Sequence, residues 1–261
     1  MKPAQGGLHL REWAAELLGT MLLLIGGLSA VFADFGPQSK VAAVIPSSSP
    51  RLLLTGLLFA GTGSLVAISP LGRLSGGHIN PAVTFAFWIT GHVHPHDLIG
   101  YVASQCLGAI LGAGAVALLW GSTARTLTYG ATAPGSGISP GAAATIEAVM
   151  TSLLILTIFV FVSHLRTMRW TPAAVWVLVS LLVWQGARFT GTSLNPARSL
   201  GPALLAGSLR VYWVYVIGPL IGSVAAVSLF MIVSHPRRLR TAKLFHDTRY
   251  PSVFRHDVED A

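Results

Sequence analysis

Charge is what this chain has least of. Only 17 of its 261 residues are Lys or Arg and 9 are Asp or Glu, 10% in all, against about 25% in soluble domains. So few charged side chains cannot readily furnish a water-facing surface for a protein of this size. With 52% hydrophobic residues and a mean hydropathy of +0.66, a polytopic membrane protein is the first reading. That counts against a soluble enzyme, a disordered chain and a nucleic-acid binder. Cysteine is nearly missing: the single Cys106 excludes an intramolecular disulfide and a multi-cysteine metal site, and it reads as a small packed hydrophobe. Asparagine is almost as scarce, with Asn80 and Asn195 the only two.

What is present is apolar and segmented. Six stretches, near 13–33, 52–69, 98–120, 145–163, 171–187 and 211–233, approach the roughly 17–25 helical residues that cross a hydrocarbon core. The first carries Glu16 inside a long apolar run, which predicts a retained span rather than a cleaved leader. Gly108/Gly112 and Gly218/Gly222 have the small-xxx-small spacing that lets helix backbones approach closely. With six alternating spans, eleven of the seventeen basic residues fall on the side of both termini and six on the other. By the positive-inside rule both termini are then cytoplasmic, in a plasma or bacterial inner membrane. The basic run after His235 reads as a topology anchor at anionic lipid, not as a nucleic-acid site. Breaker-rich residues 34–51 and 121–144 read as flexible or vestibule-forming extracellular connections.

The two halves echo one another. Ala15-Glu16-Leu17 opens the first span and Ile146-Glu147-Ala148 the fourth. Each half later reaches Asn-Pro-Ala: Ser75-Gly76-Gly77-His78-Ile79-Asn80-Pro81-Ala82, then Gly191-Thr192-Ser193-Leu194-Asn195-Pro196-Ala197-Arg198. Two such triplets arise by chance about once in a thousand chains, and here they hold every asparagine in the protein. Three spans per half give the halves opposite topology, the inverted repeat common in membrane transport proteins. The chain divides into a first repeat (1–120), an extracellular connection (121–144), a second repeat (145–234) and a cytoplasmic basic tail (235–261).

After each triplet comes an apolar stretch too short to span, giving half-helices over 80–89 and 195–205. Asn at the N-cap and Pro at the first helical position favour a helix start there. Entering from opposite faces, the half-helices bring their positive dipole ends to one point near the midplane, an obstacle to cations and protons. Each Asn amide can donate to a passing water. The residues leading in, Gly76, Gly77, His78 and Ile79, then Thr192, Ser193 and Leu194, are non-helical, and their carbonyls require a wet path.

These residues resemble the major intrinsic protein family, the aquaporins and aquaglyceroporins, over roughly residues 12–234. The resemblance implies an all-α membrane fold of six spans and two re-entrant half-helices, a pore in every subunit and a homotetramer. It implies that Glu16 and Glu147 are buried acids bracing the loops. It places a selectivity constriction at Arg198, Thr192, Val183 and a second-span position that is either Phe59 or Ala60, depending on a one-residue insertion near Pro70 to Arg73. Strict water channels have His where this chain has Val183, which widens the constriction; Ala60 in place of Phe59 widens it further. Ser199, Ala203 and Tyr212-Trp213 match the water-channel branch.

The expected function is passive conduction of water and small uncharged solutes, with protons and ions excluded. The alternative is a channel mainly for neutral solutes of the glycerol, urea or boric-acid kind. A proton-coupled carrier is the rival class, but no acidic or basic relay accompanies the two glutamates. No nucleophile–base pair appears in the apolar core, so the chain does not read as an enzyme, and neither a cofactor nor a resident metal is implied. His92, His94 and His96 read as a solvated cytoplasmic loop broken by Pro95, with a titratable gate as the alternative.

Overall fold

A computed structural model describes residues 7–234 and 239–254. Lys2, Arg237, Arg238 and Arg255, basic residues used in the topology argument, lie outside the described residues. Among the described residues there is no strand, and six helices are long and apolar enough to cross a membrane. The spans are Leu10–Phe35, Ser48–Ile68, Pro95–Trp120, Pro140–Val162, Thr171–Thr190 and Val214–Val233. Two short helices, Pro81–Ile89 and Pro196–Ala206, are the half-helices. The sequence placed all eight, with edges off by a few residues.

Local chemistry sets the ends. Pro95, Pro140 and Pro172 sit in the first helical turns, where a missing N–H costs nothing. Ser139 caps the fourth span by accepting from Ala142 N at 3.2 Å. Gly191 ends the fifth span and Gly207 the second half-helix in the left-handed conformation that glycine adopts freely. The outward faces keep apolar side chains such as Leu118, Ile232 and Val233 exposed, as lipid-facing helices do.

Packing follows the repeat. The first span lies on the third and the fourth on the sixth, while the second pairs with the fifth across the halves. Each half-helix packs on the last span of the other half: the second on the third span, the first on the sixth. The glycine pairs make these contacts possible. A methyl on Gly108 or Gly112 would strike the carbonyls of Leu17 and Met21 on the first span; on Gly218 or Gly222 it would strike those of Ala144 and Ala148 on the fourth.

The segment after the sixth span, read in the sequence as a basic topology anchor, packs onto the bundle. Leu239, Ala242, Leu244, Val253 and Phe254 are buried, and so is Lys243. Leu239, Ala242, Leu244 and Phe254 join the same apolar cluster as Phe87, Tyr101 and Phe159. The expected solvated histidine loop is also revised. His92 is buried, with Nε2 2.9 Å from the Leu239 carbonyl, and His94 stands at the N-cap position of the third span with no side-chain capping bond. Apolar residues interspersed among the tail's basic ones drive this burial, a pattern that charge counting overlooks.

Candidate functional site

The site grows from two asparagine caps. Asn80 Oδ1 accepts from Ala82 N at 2.9 Å, and Asn195 Oδ1 accepts from Arg198 N at 3.1 Å. Each amide nitrogen then crosses to the other half: Asn80 Nδ2 donates to the Leu194 carbonyl at 2.9 Å, and Asn195 Nδ2 to the Ile79 carbonyl at 2.8 Å. The sequence predicted donation to a passing water or hydroxyl; one N–H of each amide is spent on the opposite loop. The second N–H of each remains, and both asparagines line the central cavity.

The loops that present these caps are strained. Ile79, Thr192 and Leu194 have φ of 41°, 49° and 58°, a left-handed backbone that branched side chains avoid. Such strain, about 1–3 kcal/mol per residue, persists only where the surroundings over-determine it. Here two fully buried carboxylates do so. Glu16 accepts from Ser75 Oγ (2.6 Å), His78 N (3.0 Å), Ile79 N (2.6 Å) and Gln105 Nε2 (2.7 Å). Glu147 accepts from Thr190 Oγ1 (2.7 Å), Ser193 N (2.9 Å) and Leu194 N (2.8 Å).

Around each glutamate stands a matching set of supports that sequence reasoning missed. Tyr101 donates to the Ser75 carbonyl at 2.8 Å, and Tyr215 to the Thr190 carbonyl at 2.9 Å. Thr84 Oγ1 lies 3.2 Å from His78 Nδ1, and Ser199 Oγ lies 2.6 Å from Ser193 Oγ. A usable signal existed: hydroxyls stand five residues before and four after both asparagines (Ser75 and Thr190, Thr84 and Ser199).

One cavity of about 350 Å³ runs past both caps. Of the residues singled out in the sequence, Phe59, Ala60, Gly77, His78, Asn80, Val183, Thr192, Ser193, Asn195 and Arg198 line it. Glu16 and Glu147 lie behind the loops, fully buried. Gly76 is not on the wall; its carbonyl accepts from Leu244 N at 3.1 Å, and Leu244 takes a place there. The remaining wall is largely apolar, including Leu23, Val83, Leu154, Ile158, Val175 and Val179.

Arg198 is almost fully buried, donates to the Gly130 carbonyl at 3.1 Å and holds its guanidinium 5.1 Å from the centre of the Phe59 ring. Thus Phe59, not Ala60, faces the arginine, while Ala60 lines the wall beside it. From residues 121–144, Leu127, Gly130, Ala131 and Thr132 line the cavity. The Tyr212 hydroxyl donates to the Pro196 carbonyl at 3.1 Å, tying the sixth span's lead-in to the second half-helix.

The arrangement can do electrostatic work without any reactive group. Two half-charges from helix N-termini, each ~4 Å from a unit cation in a medium of effective dielectric ~20, oppose it by ~4 kcal/mol together. Arg198 at the same distance opposes it by about as much again. A neutral molecule meets neither barrier and finds amide and guanidinium donors instead.

Residues 5–230 match the family described as Major intrinsic protein. Aquaporin-6 of Rattus norvegicus is 34% identical over 229 residues, covering 82% of this chain and 81% of its own. Aquaporin-4 of Bos taurus is 35% identical over 229 residues, covering 85% and 67%. The X-ray structure of the aquaglyceroporin from Plasmodium falciparum aligns with a TM-score of 0.71 over 88% of this chain and 98% of that one, at 22% identity, a likeness of fold.

Proposed function

Because the chain belongs to the major intrinsic protein family, we propose that it is a passive channel, not an enzyme, that conducts water and small uncharged solutes and rejects protons and ions. The observation that carries this reading is the meeting of both asparagine-capped half-helices in one cavity beside a buried arginine. A solute sheds its bulk-water partners and finds donors at Asn80, Asn195 and Arg198. A cation meets two helix N-termini and a fixed charge, and a carboxylate relay for proton coupling is not assembled, since Glu16 and Glu147 spend their oxygens on loop N–H and hydroxyl groups.

The constriction in this reading comprises Phe59, Val183, Thr192 and Arg198. Phe59 keeps it narrow on one side, and Val183 removes a donor and side-chain bulk on the other. That combination supports water conduction with entry of glycerol-, urea- or boric-acid-sized molecules; preference for those solutes over water is the second reading. The assembly we propose is a homotetramer with a pore in each subunit, both termini cytoplasmic, in a plasma or bacterial inner membrane.

Stopped-flow shrinkage of proteoliposomes tests this, first with an impermeant osmolyte and then with glycerol, urea and boric acid. Water flux faster than in empty vesicles, non-saturating and independent of a proton gradient, is the expected result. Rates at the empty-vesicle level, both for the chain as it stands and for Leu244→Ser, would sink the reading.

A further inference from the structure

The C-terminal segment packs beside the first half's re-entrant loop, and its Leu244 reaches the cavity. Leu239, Ala242 and Leu244 place successive backbone groups against the first half's re-entrant loop. His92 Nε2 donates to the Leu239 carbonyl at 2.9 Å, His78 Nε2 donates to the Ala242 carbonyl at 2.7 Å, and Leu244 N donates to the Gly76 carbonyl at 3.1 Å. His78 and Leu244 both line the cavity. Phe254 stacks on the His78 ring at 5.5 Å, beside Tyr101. Arg73 pairs with Asp247 at 3.3 Å and lies over the Phe245 ring.

The Gly76 carbonyl belongs to the non-helical stretch that must otherwise face water. A peptide N–H of the tail satisfies it, and Leu244 of the tail takes a place in the cavity wall beside His78. We propose that Gly76, His78 and His92, at the edge of the cavity that His78 lines, form a binding site for residues 239–254 of the same chain, and that their docking closes the channel. Each contact is individually modest, the ion pair being partly exposed, so the segment can leave without unfolding the bundle.

This inference rests on the channel reading, and the test separates the two. Full-length Leu244→Ser and Asp247→Lys, neither touching the asparagine caps or Arg198, are reconstituted beside the unaltered chain. Expected is a rise in water permeability per protein of about fivefold, as the open fraction grows when a marginal contact is lost. Equal or lower permeability in both variants, with the unaltered chain well above empty vesicles, overturns the docking proposal alone. All three at the empty-vesicle rate overturn the channel reading and this one with it. Hydrogen exchange supplies a second measurement: amides of residues 239–254 should be protected in the unaltered chain and released in Leu244→Ser, and unprotected amides in the unaltered chain overturn the proposal.

A separate cluster lies where the chain enters the first span. One ligand atom from each of His9, His96 and Asp97 lies within 4.8 Å of the other two, and His9 Nδ1 is 2.9 Å from both Asp97 carboxylate oxygens. His96 Nε2 is shut off from solvent without a hydrogen-bond partner, 3.4 Å from Asp97. Trp13 Nε1 donates to Asp97 Oδ1 at 2.8 Å, the kind of outer hydrogen bond that orients a metal-ligating carboxylate. We infer that His9, His96 and Asp97 bind a divalent transition ion of the zinc class, with water completing a tetrahedral shell. In untagged, detergent-solubilised full-length chain, calorimetric titration with Zn²⁺ should show one site per chain, and Co²⁺ should give tetrahedral absorption bands. His9→Gln and His96→Gln should each weaken binding about tenfold or more, while His164→Gln leaves it intact. Absence of saturable binding, or binding indifferent to the His9 and His96 substitutions, overturns the assignment.

Discussion

At the residue scale, a carboxylate is a costly way to hold a loop inside a hydrocarbon layer, about 2.5–3.5 kcal/mol on insertion scales. Glu16 and Glu147 offset that cost by accepting four and three hydrogen bonds respectively. An amide in the same place would turn a donor toward backbone N–H groups. Glu147→Gln should therefore lose ~2–3 kcal/mol of stability and Glu16→Gln more, seen as lower apparent Tm in detergent with reduced water flux. Arg198→Val removes one of two comparable barriers. Flux assays should show faster glycerol and urea entry with water flux of the same order; unchanged solute rates would place the arginine off the path. Both glutamates and the arginine were legible in sequence because charge is so rare that any charge inside an apolar run must have a task. Ser75, Thr190, Tyr101 and Tyr215 were not, since hydroxyls are common and their carbonyl and carboxylate partners lie on other elements. Phe59 was ambiguous for a different reason. The Pro70–Ser75 helical turn lies between span and loop, so counting back from Asn80 leaves two candidates; the Arg198 guanidinium over the Phe59 ring supports Phe59 in the proposed constriction.

At the element scale, the spans were legible from length and apolarity and the half-helices from Asn-Pro. The glycine pairs marked where backbones approach closely, but not which helix packs on which. The third and sixth spans touch backbone on the first and fourth, so bulk at these positions separates whole helices rather than filling a gap. Gly108→Leu and Gly222→Leu should each abolish the folded, monodisperse protein, whereas Gly114→Leu, which has open space around it, should be tolerated; size-exclusion profiles in detergent report the difference. The tail escaped sequence reading because no periodicity marks it: its apolar residues are matched to a site assembled from distant segments.

At the scale of the whole molecule, topology is a charge argument. With cytoplasmic termini, Ser47→Cys in a Cys106→Ser background should label with an impermeant maleimide from outside intact cells, and Ser252→Cys only after permeabilisation. The reverse pattern would overturn the orientation. The tail's charged pin is robust in the same physiological range. Hydrogen bonding from Arg249 holds the Asp247 carboxyl down to about 2, so its pairing with Arg73 is present at neutral pH and fades only as pH falls toward that value.

The crossed bonds from Asn80 to Leu194 and from Asn195 to Ile79 have a consequence in time. Residues 76–80 leave the ribosome more than a hundred residues before their partners near 194 exist. Until then Glu16 can brace the first loop, but its asparagine has no opposite carbonyl and the loop no opposite donor. The nascent half-protein therefore waits with an incomplete turn, and the aperture is sealed only when synthesis is nearly over. A chain stopped short of residue 194 has neither crossed bond and lacks one of the two half-helices that meet at the cavity.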